Sequence, residues 1–281
     1  MLEIKGLTKR FGKKIVLDNI SFNFGREVYG LLAPNGAGKT TLMRCITRLY
    51  NIQSEKIFFN NVCIVKNKDY LSHLGYLPQG FGLFKDLTVF EMMLLLANLK
   101  DVDSAIAKPM VLSCVERVNL SDRLDSKVGK LSGGMIRRLG IAQALLNDPD
   151  IIIFDEPTAG LDPEERLRFK SIVADIKKDK LIIISTHIVE DVEALCDKVA
   201  IMSNNKINVC GSCKEIQDIA QNKVYIIPEE RLKSIKGNYV LQKKFERDGN
   251  KMLRILTNEL QEINPATPNV EDGYICTLKN I

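Results

Sequence analysis

The segment that most constrains the fold is Val28-Tyr-Gly-Leu-Leu32 running directly into Ala33-Pro34-Asn35-Gly36-Ala37-Gly38-Lys39-Thr40-Thr41. A buried-type strand, a glycine-rich loop and a helix expected from about Lys39 to Leu49 make the opening βα step of a parallel sheet. The loop fits the phosphate-binding pattern in its relaxed form, with Ala33 where the strict pattern has glycine. Gly36 and Gly38 allow the backbone to curl so that successive N–H groups converge on phosphate oxygens. The helix start adds the positive end of its dipole. Lys39 can reach the β- and γ-phosphates and the Thr40 hydroxyl can ligate Mg²⁺. Nucleotide binding is the expectation.

A second strand, Ile151-Ile-Ile-Phe154, ends in the carboxylates Asp155 and Glu156. Ligands of parallel sheets gather at the carboxyl ends of the strands, so these acids and the loop should share one crevice. Asp155 is expected to hold Mg²⁺, directly or through water, and Glu156 to orient and deprotonate an attacking water. The rest of the α/β pattern reads as strands at Leu181–Ser185 and Lys198–Met202, with helices at Pro163–Lys178, capped by Asp162, and Ile188–Leu195. Two β-like stretches, Leu2–Leu7 and Ile15–Phe24, flank the turn at Gly12-Lys13-Lys14 and precede the phosphate loop. Between the two halves lies a helical stretch. Thr88-Val-Phe-Glu91 reads as a capping box for a helix to about Leu99, a second helix is expected at Pro109–Val118 with the proline in its first turn, and a third follows Leu131-Ser-Gly-Gly. From about Ser212 the character changes, with a hairpin around Asp248-Gly249.

Composition removes several other classes. Hydrophobic residues make up 45% and charged residues 27%, the mixture of a globular chain rather than a disordered one. The apolar run Met92–Ala97 is far short of the ~20 residues that span a bilayer. No basic-then-apolar leader opens the chain, so a cytosolic setting is expected. The net charge of +5 is spread over 40 basic and 35 acidic residues without a block of like charge, so no nucleic-acid partner is expected. Seven cysteines at irregular spacing do not make a disulfide framework. Cys210-Gly-Ser-Cys213 reads as a plain turn, since a zinc site there would lack ligands.

With these motifs in place, the chain resembles the ATP-binding cassette (ABC) ATPases. Leu131-Ser132-Gly133-Gly134-Met135 is similar to that family's signature, which joins the phosphate loop and the Asp155-Glu156 strand. Phe11 matches the aromatic that stacks on adenine, Gln79 in Tyr76-Leu-Pro-Gln79 the loop glutamine, Asp162 in Ala159-Gly-Leu-Asp162 the aspartate of the loop after the base, and His187 in Ser185-Thr-His187 the switch histidine. The likeness spans about residues 1–215. It implies an α/β fold with a P-loop NTPase core and parallel sheet, an antiparallel β subdomain, a helical signature subdomain at about 82–146 and a small α+β extension at 216–281. It also implies a composite site: Ser132, Gly133 and Gly134 would meet the γ-phosphate held by a second protomer, His187 would position Glu156, and Gln79 would sense Mg²⁺ and the water. Met135 departs from the commoner glutamine and resembles the variant of antibiotic and peptide exporters. Pro78–Phe84 with Leu87-Thr-Val89, and Val270-Glu-Asp-Gly-Tyr274, suggest the same subgroup.

The implied protein is the ATP-hydrolysing subunit of an exporter, bound to a separate transmembrane permease at the cytoplasmic side of the cell membrane. The surface near Phe81–Asp86 and the helix after Thr88 would receive a short permease helix. An importer subunit is the principal alternative. A soluble ribosome-associated ATPase would usually carry two cassettes in one chain. A genome-maintenance relative would carry a long coiled coil between Lys39 and Leu131, and an inactive sensor would usually lack Glu156.

Overall fold

The structure, a computed structural model, describes residues 1–53 and 55–281. In chain order it contains β1 (Leu2–Phe11), β2 (Lys14–Phe24), β3 (Val28–Leu32), α1 (Lys39–Ile46), β4 (Ile57–Phe59), β5 (Val62–Cys63), β6 (Leu74–Leu77), α2 (Val89–Leu99), α3 (Ser104–Arg117) and α4 (Gly133–Ala144). There follow β7 (Ile151–Asp155), α5 (Pro163–Ile176), β8 (Leu181–Thr186), α6 (Val189–Leu195), β9 (Lys198–Ser203), β10 (Lys206–Gly211), α7 (Cys213–Asp218), β11 (Val224–Pro228), β12 (Val240–Arg247), β13 (Asn250–Leu256) and α8 (Val270–Lys279).

The central sheet has the order β10-β9-β3-β8-β7-β6. All neighbours in it run parallel except β10, which turns back against β9. Residues of β3, β7 and β8 are buried along their whole length, as expected of parallel strands covered on both faces. The period of two sorts them. Ile152, Phe154, Ile182 and Ile184 join the core shared with α2, α3, α4 and α5. Ile151, Ile153 and Ile183 pack instead with β1, β2 and α1. An antiparallel sheet of order β2-β1-β4-β5 closes that second face.

Because β6, β7, β8 and β3 are parallel, the residues that follow them emerge on one edge: Gln79 after β6, Glu156 after β7, His187 after β8 and the phosphate loop after β3. This arrangement brings distant motifs together.

The capping boxes and turns form where the sequence indicates. Thr88 accepts from the Glu91 amide at 3.2 Å while its own amide donates to Glu91 at 2.8 Å. Asp162 accepts from the Glu165 amide at 2.9 Å and opens α5. The β12–β13 hairpin turns at Asp248 and Gly249, with φ of 53° and 75°, the left-handed pair of a two-residue turn. One helix differs from expectation. Pro109 does not open a helix; it lies inside α3, which begins at Ser104 under an Asp103 cap bonded to the Ala105 amide at 2.9 Å. The cap satisfies the first turn about one and a half turns earlier, and the proline, at the sixth helical position, forgoes the bond its missing N–H would have made and crowds the Ala105 carbonyl.

After β10, helix α7 packs against α8. A Cβ at Gly273 would fall 1.8 Å from the Ile216 carbonyl oxygen, so only glycine permits that approach. Val270 of α8 is buried with Leu32, Val199 and Ile201 of the central sheet and Val192 of α6. The sheet β11-β13-β12 is tied to α8 by Arg254, whose guanidinium holds the fully buried Asp272 carboxylate through contacts of 3.2 and 2.5 Å. The Val270–Tyr274 stretch thus seats the last helix.

Candidate active site

The phosphate loop is shaped by two left-handed glycines, Gly36 (φ 80°) and Gly38 (φ 102°). Gly38 is doubly constrained, since a Cβ there would also meet the Val16 carbonyl oxygen at 2.7 Å. It is the N-cap of α1 and supplies no side-chain bond, so the helix's first amides stay available to a ligand. The Lys39 ammonium donates to the Ala33 carbonyl at 2.7 Å, closing the loop, and lies 3.6 Å from Glu156 Oε1. Burial pulls the Lys39 pKa down, opposed by the charges of Glu156 and Asp155.

Asp155 is fully buried. Its Oδ1 accepts from Ser185 Oγ at 2.7 Å and lies 3.5 Å from Thr40 Oγ1. Its Oδ2 has no hydrogen-bond partner. A buried carboxylate oxygen without a partner is costly unless a cation takes it. Among the described residues no cluster of three or more His, Cys, Asp or Glu could hold a metal by itself. One carboxylate and one hydroxyl are a donor set that suits Mg²⁺, which keeps most of its ligands from water and phosphate.

Glu156 sits just beyond the strand with φ of 50°, an unfavourable region for a side-chain-bearing residue. The turn is held by its amide, which lies 3.1 Å from both Ser185 O and Ser185 Oγ. This geometry points the carboxylate at two partners: Lys39 on one oxygen and His187 Nδ1 on the other, at 2.9 Å. Glu156 is buried while His187 is half exposed. A cavity of about 360 Å³ is lined by Val16, Pro34, Asn35, Gly36, Gly38, Lys39, Thr40, Thr41, Gln79 and Glu156.

The structure therefore gathers the phosphate loop, Gln79, Asp155, Glu156 and His187 at one place. It does not bring the others there. Phe11 does not line the cavity; it stands exposed at the end of β1, edge-on to Tyr50 at 5.3 Å with the Lys9 ammonium over its ring at 5.6 Å. Leu131 through Met135 also lie outside it. Ser132 caps α4 by accepting from the Met135 amide at 3.2 Å, and Ser132 and Gly133 are exposed. The Met135 side chain packs on the helical core, so its place in the turn is filled by backbone and apolar contact rather than by a polar group. Asp162 is exposed and engaged as a cap.

Three participants escaped the sequence reading. Ser185 anchors both acids, Val16 lines the cavity from β2, and Arg137 reaches across from α4. Ser185 sits in the same short stretch as His187, a signal that was legible; the other two had none.

Comparison with known families matches residues 17–159 to "ABC transporter". Nod factor export ATP-binding protein I of Burkholderia orbicola (strain AU 1054) is 36% identical over 208 residues, 73% of this chain and 68% of that protein. The chain belongs to the ABC transporter family. As a member it is an ABC-type ATPase, the ATP-binding subunit of a transporter. CbiO1 of Clostridium perfringens, described as part of the transporter complex cbiONQ, superposes with a TM-score of 0.69 at 27% identity, over 76% of this chain and 89% of that one. The dimeric bacterial cassette MJ0796 shares the fold, with a TM-score of 0.66 at 24% identity over 75% of this chain and 98% of that one. Among the described residues of this ABC subunit, no helix is long and apolar enough to cross a membrane.

Proposed function

We propose that this chain is one half of a pair of ABC cassettes that hydrolyses ATP to power export through a separate transmembrane permease, at the cytoplasmic side of the cell membrane. One observation carries the reading: Lys39 and Glu156 line the phosphate-loop cavity with His187 bonded to Glu156 beside it, while the Ser132–Gly134 turn lies outside it with Ser132 and Gly133 exposed. A single chain holds the base and the phosphate cradle but presents its signature turn outward, where a second cassette's nucleotide would meet it. The dimeric relative supports the pairing, and the export relatives support the direction. Residues 1–215 form the cassette in this reading and 216–281 an accessory extension.

Lys39 Nζ stands 3.6 Å from Glu156 Oε1, on the same side as the phosphate loop. Phosphate oxygens arriving at the loop amides would draw the ammonium away. Glu156, oriented by His187, then takes a proton from a water; the water oxygen bonds to the γ-phosphorus, and the β–γ bridging oxygen departs with ADP. Thr40, Asp155 and Gln79 would hold Mg²⁺, which when bound supplies neutralising charge to the phosphates. Phe11 would stack beside the base from the exposed end of β1. The permease would dock near Phe84, an exposed aromatic beside Phe81 and Leu83, which pack on the helical core.

The test is Glu156→Gln, which removes the base but keeps the shape. Phosphate release should fall about 10²–10⁴-fold while nucleotide binding persists and the closed pair accumulates. Parent-rate hydrolysis would remove Glu156 from its assigned role. Turnover per molecule that stays constant on dilution would refute the pairing. Affinity capture from membranes should retain a multi-span permease; retention of a solute-binding protein with it would turn the direction to import.

A further inference from the structure

We propose that Arg137 is a positioning residue for hydrolysis: from the signature helix, its guanidinium fixes the Gln79 loop and the Glu156 turn against one another. The inference rests on the roles proposed for Glu156 and Gln79. Arg137 lies two residues beyond the signature as far as Met135, on α4. Its Nε donates to the Pro157 carbonyl at 2.8 Å, Nη1 to the Gln79 carbonyl at 3.1 Å, and Nη2 to the Asp155 carbonyl at 3.3 Å and to the Glu156 carbonyl. Every acceptor is a main-chain oxygen from a segment carrying a site residue. Among the described residues no carboxylate lies within ion-pair distance of it.

The guanidinium is partly buried and spends its donors on main-chain oxygens rather than on a carboxylate. Here burial lowers the Arg137 pKa, and only the nearby charges of Asp155 and Glu156 offset it. What the arrangement gains is geometry. The planar fork has five donors fixed relative to one another, so gripping Gln79 O and Pro157 O together sets the spacing of the loops after β6 and β7. Glu156 needs this support, because its φ of 50° persists only where neighbours overdetermine it. The adjacent Arg138 does a different task, reaching Val118 O at 3.1 Å, Asn119 O at 2.6 Å and Glu165 at 3.1 Å, which ties α4 to the end of α3 and to α5. Arg137 therefore links the helix that carries the exposed Ser132–Gly133 turn to the Glu156 turn of the same chain.

The experiment uses the full chain with Arg137→Gln and Arg137→Lys. Arg137→Gln should lower kcat about 10- to 100-fold, the range expected for a misplacement on the order of 1 Å, while KM for ATP changes by less than about 3-fold. In nucleotide-free protein, amide exchange should quicken by about 10-fold or more in the segments 79–84 and 156–159 and stay at the parent level in β3 and α1. Arg137→Lys keeps the charge but not the fork, and should fall between parent and glutamine variant in kcat. Parent-like kcat and exchange in Arg137→Gln would overturn the proposal. So would a loss of ATP affinity and thermal stability in proportion to kcat, which would mark a purely structural residue, or a lysine variant equal to the parent. Glu156→Gln run alongside separates the readings: if it hydrolyses at the parent rate, the assignment of the base fails whatever Arg137 does.

Discussion

Two helices of this chain open on glycine-rich turns and are built in opposite ways. At α1 the cap is Gly38, with a left-handed backbone, no side-chain bond and the Val16 carbonyl pressed against the space a Cβ would need. At α4 the cap is Ser132, whose side chain holds the Met135 amide, and a Cβ on Gly133 would meet nothing. The first turn is open at Pro34–Gly36 but has its helical end, Gly38 and Lys39, buried against the sheet. The second is preformed but exposed, its remaining amides unspent. Changes in the first should be felt by the fold and by nucleotide binding in a single protomer; changes in the second should be felt only when another molecule is present.

The sharpest way to break this contrast is to pair Lys39→Ala with Ser132→Arg. Lys39→Ala removes a charge-assisted contact to phosphate and should weaken ATP binding by dilute protomers about 10- to 100-fold in a nucleotide titration. Ser132→Arg should leave that affinity within about 2-fold yet abolish steady-state turnover at concentrations where pairs form. If Ser132→Arg weakened binding by isolated protomers, the two turns would belong to one site.

A second pair compares the glycines themselves. Gly38→Ala forces a side chain into a left-handed position against a backbone oxygen and should cost about 1–3 kcal/mol in denaturant unfolding. Gly133→Ala adds a methyl to open space and should stay within about 0.5 kcal/mol, while turnover of the pair falls.

A third comparison is one of pH and lies where α2 meets α4. Lys100 donates to the Gln143 carbonyl at 3.1 Å, and burial pushes its pKa down to about 8 from 10.5. Below about pH 8 both folded and unfolded chains carry the proton, and the folded state bears the full cost of burying the charge. Between about 8 and 10.5 the unfolded chain binds more protons, so this group makes stability rise with pH. Lys100→Met should raise the Tm at pH 7, with an advantage that shrinks as pH approaches 10.5. An advantage independent of pH would place its origin in packing.

Much of the site was legible because its segments are local. A strand ending in Asp155-Glu156, a loop with Gly36 and Gly38, and caps at Thr88 and Asp162 are each decided by residues within a few positions of one another. The start of α3 was misjudged because Pro109 is a strong local marker, whereas the Asp103 cap that sets the boundary depends on a side chain satisfying a free amide. Arg137 and Val16 had no local mark. An arginine donating to carbonyls 18 to 58 residues away leaves no spacing to read.

By itself the sequence determined which chemical groups this protein has and the short-range shape each sits in: the cradle, the two acids, the histidine and the signature turn. Only the tertiary structure decided that Gln79, Glu156 and His187 stand together while Ser132 stands apart. The physical reason is that turns and caps are satisfied by near neighbours along the chain. The meeting of β6, β7, β8 and β3 at one edge depends instead on strand order, which is set by helices and sheets packing across the whole core.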